Sequence, residues 1–303
     1  MKVGVLLSTY NGEKFLDEQI QSVLAQKGVE IEFFARDDGS KDNTVEILEK
    51  YAKNGQLKYV AGENLGFAGS FFWLVQNAPK CDFYAFCDQD DVWRENKLSS
   101  AVETLSGLDE SKPDLYYSAL RVVNENLVET FSSTHEGFTP PSADAVFPAS
   151  LMQNWVYGCT MVFNEALRRA YAEYDRPLYC HDWTMYQIAA GLGSVVFDPV
   201  PKIDYRQHGK NVYGFFRSGL RGLIKSLALF FQKESKNLRL NEALKFKAAY
   251  YDRLSERDKL FLDKLTGYKR SRKDKKIFKK EKAFRAKGIV GFYHRMLLFF
   301  GKL

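Results

Sequence analysis

Residues 83–93 read Phe83-Tyr84-Ala85-Phe86-Cys87-Asp88-Gln89-Asp90-Asp91-Val92-Trp93. A short apolar run ends there in three carboxylates within four positions. Like charges this close repel, so a buried strand that ends in them calls for something cationic between them. Asp-x-Asp at a strand's carboxyl edge suits a hard divalent ion, Mg²⁺ or Mn²⁺, that also grips phosphate oxygens. The stretch points to chemistry on a nucleoside diphosphate.

Upstream of it, strands and helices alternate. Val3–Leu7 is a continuous apolar run, as expected of a strand buried on both faces, and Ser8-Thr9-Tyr10-Asn11-Gly12 follows as a turn. A helical pattern over about Glu13 to Gln26 places Phe15, Ile20, Val23 and Leu24 on its apolar positions. Ile31–Ala35 is a second strand ending in Arg36-Asp37-Asp38-Gly39-Ser40, and Asp42 or Asn43 can cap the helix that carries Val45, Ile47 and Leu48. Lys58–Ala61 is a third strand, followed by Asn64 to Ser70 and another helix; Phe83–Cys87 is the fourth. This alternation predicts a parallel sheet built by βαβ crossovers, with ligands outside the carboxyl ends of the strands. The polar loops 8–12, 36–40, 64–70 and 88–91 all fall at those ends. Neither G-x-G-x-x-G nor G-x-x-x-x-G-K-[ST] follows the first strand, which counts against dinucleotide and P-loop readings.

The composition fits one large domain plus an appendage: 303 residues, 45% hydrophobic and 15% aromatic. The first apolar stretch is too short for a signal peptide or a membrane span, and no run approaches ~18 apolar residues. Cys81, Cys87, Cys159 and Cys180 lack metal-type or disulfide-framework spacing and read as reduced thiols of a cytoplasmic protein. The net charge of +6 hides a division. Residues 214–303 hold 25 Lys and Arg against 8 Asp and Glu, a net of +17, which leaves −11 for residues 1–213. Such an imbalance suits a basic segment facing an anionic surface.

Several motifs in order resemble the family 2 glycosyltransferases of the GT-A fold. They are Ser8-Thr9-Tyr10-Asn11-Gly12, Asp37-Asp38-Gly39-Ser40-Lys41-Asp42-Asn43-Thr44, Asn64-Leu65-Gly66, Asp88-Gln89-Asp90-Asp91 and His181-Asp182-Trp183. The forms Cys87-Asp88-Gln89-Asp90-Asp91-Val92-Trp93 and Tyr205-Arg206-Gln207-His208-Gly209-Lys210-Asn211-Val212 resemble its bacterial rhamnosyltransferase branch. The resemblance covers residues 1–213. It implies a Rossmann-like, mainly parallel sheet flanked by helices as the catalytic domain, with residues 214–303 as a basic, amphipathic helical extension.

By that resemblance, Ser8, Thr9, Tyr10, Asn11, Asn64 and Gly66 hold the nucleotide, and Asp38 accepts the base's N3–H. Asp88 contacts the ribose or metal-bound water, and Asp90 ligates Mg²⁺ or Mn²⁺. The ion would neutralise charge on the departing nucleoside diphosphate. Asp91, Trp93, Trp155, Cys159 and His181 fall to the donor or acceptor pocket, with Trp93 equally suited to packing. Arg206, His208 and Lys210 form a loop over the diphosphate, where His208 could bind phosphate or the metal. Asp182 takes the proton from the acceptor hydroxyl in an inverting transfer; the alternative is that it only caps the helix over Thr184 to Ala190. Residues 132–148, with Pro140, Pro141 and Pro148, read as a long loop near the site.

In the extension, Leu220, Leu223, Ile224, Leu227 and Phe231 share one helical face, with Arg217, Arg221 and Lys225 on another. A more polar helix is expected from about Asn237 to Leu265, and then eleven basic residues lie between Lys269 and Lys287. Beside amphipathic apolar segments, this pattern suits attachment to anionic lipid. Packing or dimerisation with a second copy is the alternative; no nucleic-acid motif is present.

The function expected is an inverting, metal-dependent glycosyltransferase, peripheral on the cytoplasmic face of a bacterial cell membrane. It would move L-rhamnose from dTDP-β-L-rhamnose to a hydroxyl of a lipid-linked cell-wall or capsular polysaccharide. A UDP-hexose donor is one alternative. A non-catalytic scaffold that binds sugar nucleotide or membrane is another, and a nucleotidyltransferase is disfavoured by the lack of a lysine-bearing phosphate loop at Ser8–Gly12.

Overall fold

The structure, a computed structural model, describes residues 1–133, 140–143, 145–176, 179–209, 237–278 and 297. The chain divides into two compact units, one of residues 1–140 and 156–214, the other of 141–155 and 215–303.

The first unit is built on a seven-stranded sheet. In chain order its elements begin β1 (Lys2–Thr9), α1 (Leu16–Leu24), β2 (Glu30–Asp37), α2 (Thr44–Lys53), β3 (Lys58–Ala61), α3 (Gly66–Asn77) and β4 (Phe83–Cys87). After β4 come β5 (Val92–Trp93), α4 (Lys97–Leu105), β6 (Asp114–Ser118), β7 (Arg121–Val123) and β8 (Glu129–Phe131). The strand order β10-β6-β9-β4-β1-β2-β3 is completed by β9 (Val162–Asn164) and β10 (Ser194–Asp198). All neighbouring pairs run parallel except those of β9, which is antiparallel to both β4 and β6. Val3, Val5, Leu6 and Leu7 are fully buried, as are Tyr84, Ala85, Phe86 and Cys87 beside them. Their unbroken apolar runs are what a sheet covered on both faces requires.

Register decides where the site lies. Thr9 pairs with Asp37, so β1 and β2 end level, and β4 ends at Cys87 opposite Leu7, two residues short of them. The loops that follow leave from one edge and bond to one another. Tyr10 N donates to Gln89 Oε1 at 2.8 Å, and Gln89 Nε2 donates back to Tyr10 O at 3.1 Å. Asn11 N donates to Ser40 Oγ at 2.9 Å, and Leu65 N to Asp38 Oδ1 at 2.9 Å. Four loops thus become one polar rim.

A second sheet, β5-β11-β7-β8, adds β11 (Ile203–Arg206) antiparallel to β5, with Ile203 opposite Trp93. This pairing carries residues 206–208 back to the acid loop. Sequence reading had no signal for it, because β5 is only two residues long. The helices α6 (Glu165–Ala172) and α7 (His181–Leu192) complete the unit.

The second unit begins with α5 (Val146–Met152), so the loop expected over 132–148 is interrupted by a helix whose third residue is Pro148. Proline is tolerated in a first turn, where its missing N–H has no partner to lose. Beyond it, the expected single helix from Asn237 is two, α8 (Leu238–Tyr250) and α9 (Glu256–Gly267), followed by α10 (Arg272–Phe278). Ser255 makes the break: its side chain accepts from Asp258 N and caps α9. The amphipathic segment 217–231, Lys210 and the part of the terminal basic run beyond residue 278 lie outside the described residues. Among the described residues, no helix is long and apolar enough to cross a membrane.

Candidate active site

The polar rim encloses a cleft of about 900 Å³. Ser8, Tyr10, Asn11, Asp38, Asn64, Gly66, Asp88, Asp90, Cys159, His181, Asp182 and His208 all line it. The sequence had distributed these over residues 8 to 208; the fold brings them together.

At one side, β2 ends in two adjacent acids with different surroundings. Asp37 is turned inward: its Oδ2 accepts from Gly39 N at 3.1 Å and Ser40 N at 2.9 Å, and its Oδ1 from Thr9 Oγ1 at 3.0 Å. Gly39 holds φ at +85°, where a side chain would be strained. Asp38 faces the cleft and is ion-paired with the buried Arg36 guanidinium. Arg36 in turn donates to Glu63 O at 2.7 Å and lies over the Trp73 ring. Both the Arg36 and Leu65 bonds fall on Asp38 Oδ1. This fixes the direction of the carboxylate. Thr9, grouped with the nucleotide residues by sequence, is 1% exposed and does not line the cleft; it braces Asp37.

At the centre stands the acid loop. Asp90 Oδ2 lies 2.8 Å from His208 Nε2, and the His208 ring packs on Phe15 with centroids 5.1 Å apart. The carboxyl of Asp88 keeps one face on the cleft but is otherwise enclosed. Burial, then the charges of Asp90 and Asp182, push it up to about 7. Asp91 is fully buried and likewise held well above the carboxylate range by burial and its acidic neighbours. Its Oδ1 accepts from Arg206 N at 3.0 Å, and among the described residues Oδ2 has no hydrogen-bond partner.

An acidic cluster whose members resist ionisation fits a divalent cation, which would offset that penalty. Two ligand groups are conceivable on geometry. Asp88, Asp91 and Cys159 bring their ligand atoms within 4.8 Å of one another. The Cys159 thiol, however, is pushed well above its ordinary value by burial and is a soft donor. Hard Mg²⁺ or Mn²⁺ prefers carboxylate oxygen and retained water. Asp90 with His208, beside Asp88 and open to the cleft, is the better set.

Three residues that sequence placed at the ligands are buried away from the cleft. Asp91 does not line it and is an interior acid. Trp93 is 3% exposed and packs in the core, with the Lys97 ammonium 3.2 Å from its ring centroid. Arg206 is 2% exposed, does not line the cleft and braces the acid loop. It donates to Asp90 O at 2.9 Å, pairs with Glu18, bonds Glu125 O and lies over Phe15. Trp155 belongs to the second unit.

At the far side, α7 carries His181 and Asp182. The cap position is Cys180, and Asp182 sits inside the first turn, so it does not cap the helix. Its carboxylate is held from both ends: Gly158 N donates to Oδ2 at 3.2 Å and the Cys180 thiol to Oδ1 at 2.8 Å. His181 is sunk among rings, stacked on Phe71 at 4.2 Å with Phe86 edge-on at 5.0 Å. Burial lowers it to about 4, partly offset by Asp182, and among the described residues neither ring nitrogen has a hydrogen-bond partner. A Cβ at Gly158 would come within 2.7 Å of His181 Nε2, so glycine is needed there. Phe15, Phe67, Phe71, Gln89, Tyr157, Gly158, Cys180 and Tyr205 also line the cleft. The aromatics of α3 were invisible to sequence reading as site residues, because an apolar helix face reads as core.

A sheet of this order, with an Asp-x-Asp loop at its carboxyl edge and a further carboxylate across the cleft, defines a glycosyltransferase of the GT-A fold. Residues 4–173 match the model for Glycosyl transferase family 2, and the chain belongs to that family. It is 30% identical over 230 residues to the dTDP-rhamnosyl transferase RfbG of Shigella flexneri, covering 69% of this chain and 73% of that protein. An uncharacterized glycosyltransferase of Rickettsia typhi is 27% identical over 209 residues, 68% of this chain and 64% of the relative. Among solved structures, S. aureus TarS 1-349 superposes with a TM-score of 0.56 at 17% identity, over 93% of this chain and 76% of that one. The mannosyltransferase PcManGT from Pyrobaculum calidifontis, solved with GDP-Man and Mn²⁺, gives 0.52 at 13% identity, over 99% and 88%. At these identities, the structural likeness speaks for the fold.

Proposed function

We propose that this glycosyltransferase transfers a sugar, with inversion, from a nucleotide sugar to a hydroxyl of a lipid-linked cell-wall or capsular polysaccharide. L-rhamnose from dTDP-β-L-rhamnose is the favoured donor, supported by the Shigella flexneri relative. The observation that carries the reaction class is the convergence of Asp38, Asp88, Asp90 and Asp182 on one cleft.

Asp38, fixed by Arg36, accepts the N3–H of a pyrimidine base and selects against rings without that donor. Ser8, Tyr10, Asn11, Asn64 and Gly66 frame the nucleoside. Asp90 and His208 hold the divalent ion, with Asp88 beside them toward the ribose. Bound there, Mg²⁺ or Mn²⁺ supplies charge neutralisation for the departing diphosphate. Asp182 accepts the proton of the acceptor hydroxyl as it attacks the anomeric carbon; its two fixed bonds set the direction of the carboxylate before substrate arrives. The Phe67–Phe71 wall and Tyr157 give apolar faces for the sugars and exclude water.

The basic terminal segment supports a peripheral position on the cytoplasmic face of the membrane, where a lipid-linked acceptor would share its surface. Calorimetric titration with dTDP-rhamnose, UDP-glucose, UDP-galactose and GDP-mannose, with and without Mn²⁺, tests the reading. Metal-dependent binding of dTDP-rhamnose alone is expected. A UDP-sugar preference would keep the mechanism and replace the donor. Folded protein that binds none of them would refute the enzyme reading and favour a scaffold.

A further inference from the structure

Lys97 opens α4 directly behind the acid loop and has no exposed surface. A buried ammonium is costly without compensation. Among the described residues it has no carboxylate within ion-pair distance. Instead, Nζ donates to Cys159 O at 2.6 Å, lies over the Trp93 ring, and feels the charges of Asp91 and Asp88 through the interior. Cys159 sits in the 3₁₀ turn Gly158–Thr160, and Gly158 N in that turn is the donor to Asp182 Oδ2. One ammonium therefore faces the acids from beneath and anchors the turn that aims the carboxylate opposite. It does not line the cleft.

We propose that Lys97 is a positioning residue for the transfer: a fixed internal cation that makes the Asp88–Asp91 cluster tolerable and, through the Cys159 carbonyl, sets the Gly158–Thr160 turn and Asp182. The inference rests on the metal-dependent glycosyltransferase reading. It makes two measurable quantities move in opposite directions. Without the fixed positive charge, the cluster attracts a divalent ion more strongly. Without the anchor, the turn loosens and proton abstraction slows. A lysine that merely packed would move neither, and a general loss of structure would weaken both.

The test is Lys97→Met in the full chain, which keeps the aliphatic stem over Trp93 and removes charge and donor. Mn²⁺ alone is titrated and the free ion followed by electron paramagnetic resonance. Donor turnover is measured as nucleoside diphosphate release. The Mn²⁺ Kd should fall by about tenfold, while kcat falls by at least about tenfold with donor KM within about threefold. An unchanged or weaker Mn²⁺ Kd in folded variant, or an unchanged kcat, overturns the proposal. Wild-type protein that binds no Mn²⁺ would instead overturn the metal-dependent reading and the proposal with it. Should Lys97→Met not fold, the double variant Lys97→Met/Asp91→Asn removes the buried ammonium together with its titratable acid neighbour. Recovery of folded protein supports charge compensation, and failure of both variants overturns it.

Discussion

His181 makes a pH dependence that can be worked from its surroundings. The imidazole is 6% exposed, boxed by Phe67, Phe71 and Phe86, and lowered to about 4 from an ordinary value near 6.5. Between those values the unfolded chain binds a proton that the folded protein refuses, so stability must fall as pH falls through that window. The contribution is fully present above pH 6.5. A shift of that size corresponds to about 2 kcal/mol lost by pH 5 and about 3 kcal/mol once pH drops below 4. The informative perturbation is His181→Gln, which keeps size and polarity but cannot titrate. Asp88, raised to about 7, pulls the other way. It is present in both proteins and cancels in the difference. Urea denaturation at pH 7.5 and pH 5 should show the wild-type protein losing about 2 kcal/mol more than the variant. Equal losses in the two proteins would refute the account of His181 as a buried neutral base.

The other expectations concern the cleft and the extension. Asp182→Asn should lower turnover by about a hundredfold or more while leaving donor affinity by calorimetry within about twofold; a strongly active variant would remove Asp182 from the role of base. Asp90→Ala should weaken Mn²⁺-dependent binding of the nucleoside diphosphate and leave metal-free binding unchanged, and equal affinity with Mn²⁺ would contradict its place as a ligand. Arg206→Met should cost about 3 kcal/mol of stability by leaving the carbonyls of Asp90 and Glu125 without their donor. If it instead folds normally and raises donor KM alone, Arg206 is a phosphate ligand after all. The full chain should float with anionic vesicles at low salt and be released as salt rises; equal binding to neutral vesicles would argue against an electrostatic anchor.

Much of the first unit was legible because apolar runs are one-dimensional signals. Lys58–Ala61 and Phe83–Cys87 were bounded by residue number, and β1 and β2 differed only at their ends. The two-residue β5 and the antiparallel β9 were not, since strands so short carry too little pattern to stand apart from loop. The brace made by Arg206 was also hidden: a basic residue beside a catalytic loop reads as a phosphate ligand until its backbone partners are seen.

A more specific limit runs through the site itself. In Ser8/Thr9, Asp37/Asp38 and Asp90/Asp91, two polar neighbours are split between cleft and interior. Ser8, Asp38 and Asp90 line the cleft, while Thr9, Asp37 and Asp91 do not and hold loops in place. At the ends of β1 and β2 side chains alternate direction, so one of each pair turns inward, and Asp90 and Asp91 divide the same way in the loop before β5. The inner member then needs partners: Thr9 and Asp37 bond each other, and Asp91 takes Arg206 N. Sequence names each pair but not its parity, because parity depends on the residue at which the strand stops, and that is where boundaries are least determined. Shifting either strand end by one residue would exchange the roles. The same two carboxylates would then offer a ligand a different geometry, and the acid loop would lose the inner member that ties it to β11.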